Sequence, residues 1–307
     1  MAEPLVIETQ GLCKRYGARQ GGSQGGIDAL RGLDLEVPAG SICGFLGRNG
    51  AGKTTTIKLL LGMAHASGGH ARVFGLPAGD ERASVAIRRR TGFVSDDKDL
   101  YDYMDVAALI RFTAGFFPRW RADLATDYLR RFELPLDRKV KSLSRGMRTK
   151  LALLVALCRG AELLILDEPT AGLDPAMAEQ VLQALVAHVA REATTVFFSS
   201  HQIAEVEQIA DRIAILERGR AVLSGALDDL RARFRRIQLV FDRDPPDLVL
   251  RSPVVGRVRR QGRVISVVTS AGADPILDEV RALGAVSIDV SPVGLKEIFL
   301  ETVAAED

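Results

Sequence analysis

Between Gly47 and Thr55 the chain reads Gly-Arg-Asn-Gly-Ala-Gly-Lys-Thr-Thr. Gly47, Gly52, Lys53 and Thr54 stand at the spacing of a phosphate-binding loop, G-x-x-x-x-G-K-[ST]. Each residue type has a task in that chemistry. The glycines let the backbone curl, so that N–H groups along Gly47, Arg48, Asn49, Gly50, Ala51, Gly52, Lys53, Thr54 and Thr55 turn toward phosphate oxygens. Lys53 brings a point charge to the β- and γ-phosphates. The Thr54 hydroxyl can sit on the Mg2+ that bridges them. The residues imply binding of a nucleoside triphosphate.

The elements around the loop suit that task. Ser41 to Leu46 is a short apolar run, expected to be a buried strand, and Thr55 to Leu61 is helix-like. A helix starting here adds the positive end of its dipole to the anion site. Further on, Leu163 to Leu166 is fully apolar and ends in Asp167-Glu168-Pro169-Thr170. That predicts a parallel strand covered on both faces, with acids at the carboxyl end where ligands of α/β sheets sit. Thr195 to His201 is a similar strand ending in a histidine.

With 307 residues, 47% hydrophobic and 26% charged, the chain is globular and has room for one large or two unequal domains. Its 41 basic and 39 acidic residues leave a net charge of +2, so it is no general binder of polyanions. Two basic clusters, Arg88 to Arg90 and Arg231 to Arg236, lie on helix-like stretches and read as solvated faces. Cys13, Cys43 and Cys158 show no C-x-x-C spacing and are expected to be small buried core residues in a reducing compartment. No basic leader precedes a long apolar run, and no run approaches a membrane span, so a soluble protein is expected.

In chain order, Leu5 to Thr9 reads as an edge strand, and Gly21 to Gly26 as a flexible loop. Ala29 to Val37 alternates as a second strand; together they suggest a small antiparallel sheet beside the nucleotide core. Ala71 to Gly75 and Thr91 to Ser95 are expected strands, with a helix over Ala83 to Arg90 between them. Val106 to Phe132 has a helical pattern rich in rings: Phe112, Phe116, Phe117, Trp120, Tyr128 and Phe132. Helix packing accounts for most of them, and an exposed subset would make a docking groove for a partner helix. Helices are expected over Leu143 to Leu157 and Ile203 to Ala210, then a hairpin with a glycine turn near Gly219. Beyond Arg235, three strands, a helix, a strand and a closing helix predict a small α+β appendage with no catalytic constellation.

Leu143-Ser144-Arg145-Gly146-Met147, ahead of the acidic strand, resembles the signature of the ABC ATPase family. The resemblance covers roughly residues 5 to 230, with the motifs in the family's order. It is nearest to stand-alone ATP-binding subunits of bacterial exporters whose permease is a separate chain, in a branch that includes peptide-antibiotic resistance pumps. The resemblance implies an α/β P-loop core with an antiparallel β subdomain and a helical subdomain, residues 1–232 (helical part about 97–160). A small α+β C-terminal domain would follow at 236–307. It also implies roles for single residues. Asp167 becomes the Walker B acid that holds Mg2+, and Glu168 the general base that polarises the attacking water. Outside that context an Asp-Glu pair after a strand would also serve as a helix N-cap. His201 matches the switch histidine beside the γ-phosphate, and Tyr16 the aromatic that stacks on adenine. Asp174 matches the loop that crosses the dimer interface. Ser144 and Gly146 would reach the γ-phosphate of ATP held by the opposite subunit, which implies a dimer around two ATP.

Two motifs depart from the family pattern. The signature carries Arg145 and Met147 at its third and fifth positions. Where the switch glutamine is expected after Gly92 to Ser95, the chain has Asp96-Asp97. Asp96 aligns there, with Asp97 as the alternative, and a carboxylate can still bind Mg2+. The resemblance thus describes a cytoplasmic ATPase subunit, peripheral on the inner face of the membrane through a permease, with no nucleic-acid partner. The rival is an ABC ATPase acting on nucleic acid or ribosomes. Such proteins carry two cassettes, or a long coiled coil between P-loop and signature, whereas fewer than 90 residues separate Lys53 from Leu143 here. The C-terminal appendage reads either as a sensor or as extra dimer contact.

Overall fold

The computed structural model describes residues 4–17, 26–245, 255–281 and 283–304. The expected glycine-rich loop at Gly21 to Gly26 lies outside them except for Gly26. The chain forms two compact units that meet in sequence at Ser224 and Gly225.

The first unit begins with β1 (Leu5–Tyr16) and β2 (Ile27–Pro38). Next come β3 (Ile42–Gly47), α1 (Lys53–Leu60), β4 (Gly68–Val73), β5 (Leu76–Pro77), α2 (Glu81–Arg90) and β6 (Thr91–Val94). Four helices surround the next strand: α3 (Val106–Ala114), α4 (Ala122–Arg131), α5 (Arg145–Cys158), β7 (Leu163–Asp167) and α6 (Pro175–Glu192). Then follow β8 (Thr195–Ser200), α7 (Ile203–Ile209), β9 (Arg212–Glu217) and β10 (Arg220–Ala226). The antiparallel sheet has the order β2-β1-β4-β5, and the larger sheet the order β10-β9-β3-β8-β7-β6. Strands β9, β3, β8, β7 and β6 run parallel. Every residue of β3, β7 and β8 is buried, as two-sided burial of an apolar run requires. Ile7 and Leu33 of the small sheet, Ile57 and Leu60 of α1, and Phe45, Ile165 and Phe197 of the parallel sheet share one core.

Several expectations needed correction. Leu5 to Thr9 is not an edge strand: β1 lies between β2 and β4. Its register with β2 shifts between Leu5 and Ile7, and again between Thr9 and Leu12, where Gly11 has φ +55°. The helical stretch Val106 to Phe132 is two helices, broken at Gly115 to Arg121. The signature helix α5 is capped by Ser144, whose hydroxyl accepts from Met147 N. Helix α6, absent from the sequence reading, starts with Asp174 as cap and Pro175 at its first position. Nor is Arg88 to Arg90 simply a solvated face. Arg88 donates to Leu61 O, while Arg90 pairs with Glu162 and covers the Phe74 ring. Cys13 is only half-buried; Cys43 and Cys158 are buried.

The second unit carries α8 (Leu227–Arg233), β11 (Arg235–Val240), β12 (Val255–Gln261), β13 (Val264–Thr269), α9 (Asp274–Arg281), β14 (Ser287–Pro292) and α10 (Leu295–Ala304). Of its basic run, Arg235 and Arg236 are on a strand, not a helix. The antiparallel sheet has the order β12-β13-β11-β14. Ile237, Leu239, Ile265 and Val267 point to one face and form a core with Ile276 and Val280 of α9. No helix among the described residues is long and apolar enough to cross a membrane.

Candidate active site

Strand β3 delivers Gly47 and α1 begins six residues later, so the chain must turn sharply between them. Gly50 has φ +82° and Gly52 φ +115°, conformations that favour glycine. At Gly52 a Cβ would also lie 2.6 Å from Ala29 O, and at Gly47 2.6 Å from Leu216 O. Gly52 is the N-cap of α1 and no side chain caps that helix, which leaves its first N–H groups to the loop's cradle. Ala51 is pinned by bonds from its N–H to Arg48 O and to its carbonyl from Gly219 N–H. Arg48, Asn49 and Gly50 are exposed at the rim, and Thr55 is half-buried. Lys53 is buried, with Nζ donating to Gly47 O at 2.7 Å and lying 3.1 Å from Glu168 Oε1.

The acids stand opposite. Asp167 ends β7 between two hydroxyls: Thr54 Oγ1 donates to one carboxylate oxygen at 2.8 Å and Ser199 Oγ to the other at 2.6 Å. The Ser199 hydroxyl also accepts from Glu168 N–H at 3.0 Å. Glu168 adopts φ +47°, a strained left-handed conformation for a residue with a side chain. Its carboxylate lies between two partners, His201 Nδ1 at 2.8 Å from one oxygen and the Lys53 ammonium near the other. That second oxygen is fully buried and accepts no hydrogen bond, so the lysine contact is an ion pair only. Glu205 anchors the adjoining turn by accepting from Thr170 and Ser200.

These groups suit magnesium. Thr54 and Asp167 offer hard oxygen donors 2.8 Å apart. Mg2+ is commonly held by one or two protein oxygens, with phosphate and water completing its shell. No cluster of three or more acidic, histidine or cysteine side chains fit for a metal occurs among the described residues. The Asp96 carboxylate is largely exposed and lies 4.0 Å from Lys98 Nζ.

The remaining expected residues fall at the periphery. Tyr16 closes β1 opposite Ile27, two residues before the Ala29 carbonyl that abuts the loop, and its ring is exposed under Lys14. Gly146 lies in the first turn of α5 against α6, where a Cβ would be 2.3 Å from Met177 Sδ. Arg145 packs its guanidinium over Gly172. Asp174 accepts from Met177 N–H as the cap of α6.

Two residues of the site escaped the sequence reading. Ser199 is one; its place follows from the β7–β8 register, which sets Asp167 beside Ser199. Lys98 is the other. It is buried, and its ammonium donates to the carbonyls of Asp96, Asp167 and Glu168. Burial pushes it below the usual lysine range, while the carboxylates around it act the other way.

A P-loop feeding a helix, a buried acid at the end of the parallel strand one removed from the P-loop strand, and a histidine bonded to the next acid define an ATP-hydrolysing cassette. The model of the family described as ABC transporter matches residues 30–171. A second, described as AAA domain, putative AbiEii toxin, Type IV TA system, overlaps it at residues 136–207. The daunorubicin/doxorubicin resistance ATP-binding protein DrrA of Streptomyces peucetius is 38% identical over 233 residues, covering 74% of this chain and 67% of that one. The Nod factor export ATP-binding protein I of Rhizobium sp. (strain N33) is 30% identical over 315 residues, covering 98% of both. A solved ATP-binding cassette, a post-hydrolysis dimer with ADP and Pi, superposes with TM-score 0.64 at 21% identity over 72% of this chain and 98% of that one. The chain belongs to the ABC transporter ATP-binding protein family, and it is an ATPase.

Proposed function

We propose that two copies of this chain close around two ATP and drive export through a separate membrane permease. The observation that carries the chemistry is the placement of Glu168 between His201 and Lys53 at the end of β7. Glu168 takes the proton of the attacking water as general base, and His201 holds its carboxylate in place. Lys53, within reach of the loop carbonyls, neutralises phosphate charge. Thr54 and Asp167 would hold Mg2+, which would supply positive charge against the phosphates of bound ATP. Ser144 and Gly146, at the N-terminus of α5, serve the ATP of the other subunit, and Asp174 lies at the same interface.

Docking of the permease is supported by the rings that stay exposed. Tyr103, Tyr101, Phe112 and Phe116 form a ladder with centroid distances of 5.9, 5.5 and 5.0 Å. Tyr128 and Phe132 instead stack in the interior. An exposed run of large apolar rings marks a protein contact. Export is supported by the Nod factor export role of one relative and the drug-resistance role of the other.

Glu168→Gln tests the reading. The variant is expected to bind ATP with wild-type affinity, to lose about a hundredfold or more of its turnover, and to persist as an ATP-bound dimer in size-exclusion chromatography. Unchanged steady-state hydrolysis would refute the role of Glu168. For the partner, Phe112→Asp with Phe116→Asp should abolish co-purification of the permease while ATP binding is kept.

A further inference from the structure

The loop that follows β6 carries acids where the family has a glutamine, and in its middle stands a buried lysine. Lys98 has φ +51° and is only 6% exposed. A buried ammonium needs compensation, because a charge taken out of water loses its hydration. Here it comes from three carbonyls, at 3.1 Å for Asp96, 3.4 Å for Asp167 and 3.1 Å for Glu168. The last two belong to the two peptide units that flank the Glu168 Cα. The first of these units is held at its other end as well, by the bond from Glu168 N–H to Ser199 Oγ. With both flanking peptides fixed, the direction in which the Glu168 side chain leaves the backbone is fixed too. A left-handed residue with a side chain persists only where its surroundings hold it there.

The same loop is tied at its far end to the signature helix. Asp102 pairs with Arg148 Nη2 at 2.5 Å, and Lys141 N–H donates to Asp102 O just before that helix. Between the two anchors is a cavity of about 400 Å³ lined by Asp96, Asp97, Lys98, Arg145 and Arg148. One loop thus spans from the backbone of Glu168 to the first turns of α5.

We propose that Lys98 is a positioning residue for hydrolysis, fixing the backbone on both sides of Glu168, and that the Asp102–Arg148 pair transmits displacement of the signature helix to that backbone. The inference rests on Glu168 being the base. It gives the acidic loop a working part: the ammonium replaces the amide as the link to the catalytic turn and offsets the charge of Asp96.

The test compares Lys98→Met, Lys98→Gln, Asp102→Asn and Glu168→Gln in the full chain, by kcat, KM for ATP and equilibrium ATP affinity. Lys98→Met is expected to lower kcat by about tenfold or more while ATP affinity moves less than about twofold. Lys98→Gln, whose amide still donates to the carbonyls, should recover kcat to within about threefold of wild type. Asp102→Asn, at an exposed pair, should lower kcat by about threefold at unchanged affinity. The proposal is overturned if Lys98→Met keeps kcat within about twofold while Glu168→Gln is inactive. It is also overturned if Lys98→Met and Lys98→Gln lose kcat and affinity together. Should Lys98→Met not fold, Lys98→Gln and Asp102→Asn decide: wild-type kcat in Asp102→Asn, or loss of affinity in Lys98→Gln, rejects it. Active Glu168→Gln would instead overthrow the base assignment itself.

Discussion

Removal of the Ser199 hydroxyl is the most direct probe of how the two acids are held. Ser199 is fully buried, donates to Asp167 at 2.6 Å and accepts from Glu168 N–H at 3.0 Å. In Ser199→Ala the Glu168 N–H is left buried without a partner, at about 1–3 kcal/mol, and a charge-assisted bond to Asp167 worth about 1.5–3 kcal/mol is lost. The two terms overlap, so a stability loss of about 2–4 kcal/mol is expected. Both acids also lose their shared anchor. If about half of that energy was holding catalytic geometry, kcat falls by about five- to thirtyfold. The control is Ser200→Ala. Ser200 is equally buried and donates to Glu205 at 2.9 Å, away from the two acids. It should lose comparable stability in urea unfolding yet keep kcat within about threefold at saturating ATP. Equal kcat losses in both variants would refute the reasoning, as would Ser199→Ala turning over at the wild-type rate.

Three further outcomes follow from the geometry. Thr54→Val should leave ATP affinity in chelator unchanged but abolish most of the gain on adding Mg2+, measured by titration calorimetry; an intact Mg2+ effect would remove Thr54 from the metal's shell. In Gly146→Ala the new Cβ meets Met177 Sδ, so stability should fall by about 1–2 kcal/mol. Met177→Ala should restore that stability without restoring hydrolysis, if the signature also needs a bare backbone at Gly146. His188 is buried beside Tyr128, and burial pushes it from 6.5 down to about 4. Between those values the unfolded chain takes up a proton that the folded one refuses. Stability is therefore full above pH 6.5 and drops on acidification, by about 2 kcal/mol at pH 5. His188→Gln should flatten that part of the urea-derived pH profile, and an unchanged slope would show that His188 does not cause it.

The parts legible in the sequence are those whose signal is local. The P-loop announces itself because the phosphate cradle is one continuous segment. Strands β7 and β8 are legible because burial on both faces leaves apolar runs, Leu163 to Leu166 and Val196 to Phe198, that end where the strand reaches the site. Lys98 was illegible because it sits in Asp96-Asp97-Lys98-Asp99, a composition that reads as solvated loop. Only the tertiary approach of the β7 turn removes its ammonium from water. Ser199 required the register of β8 on β7. Which rings of Val106 to Phe132 stay exposed required the break at Gly115 to Arg121, which splits one helical pattern into two elements, the first with Phe112 exposed and the second with Tyr128 buried.

The division between strands and loops has a consequence for control of the reaction. Asp167 and Ser199 are delivered by fully buried central strands, so their positions change only when the sheet does. Lys98 reaches Glu168 from the loop after β6, and His201 from the end of β8. Those loops border solvent, and the first is tied to α5. Displacing a loop by an ångström costs far less than displacing a packed strand, because few buried contacts must be broken. Substitutions of the apolar residues of β3, β7 and β8 are thus expected to register first in unfolding, whereas substitutions in the loops register first in kcat. On the proposed reading, the pair Thr54 and Asp167 can keep its geometry while the carboxylate of Glu168 is released or engaged.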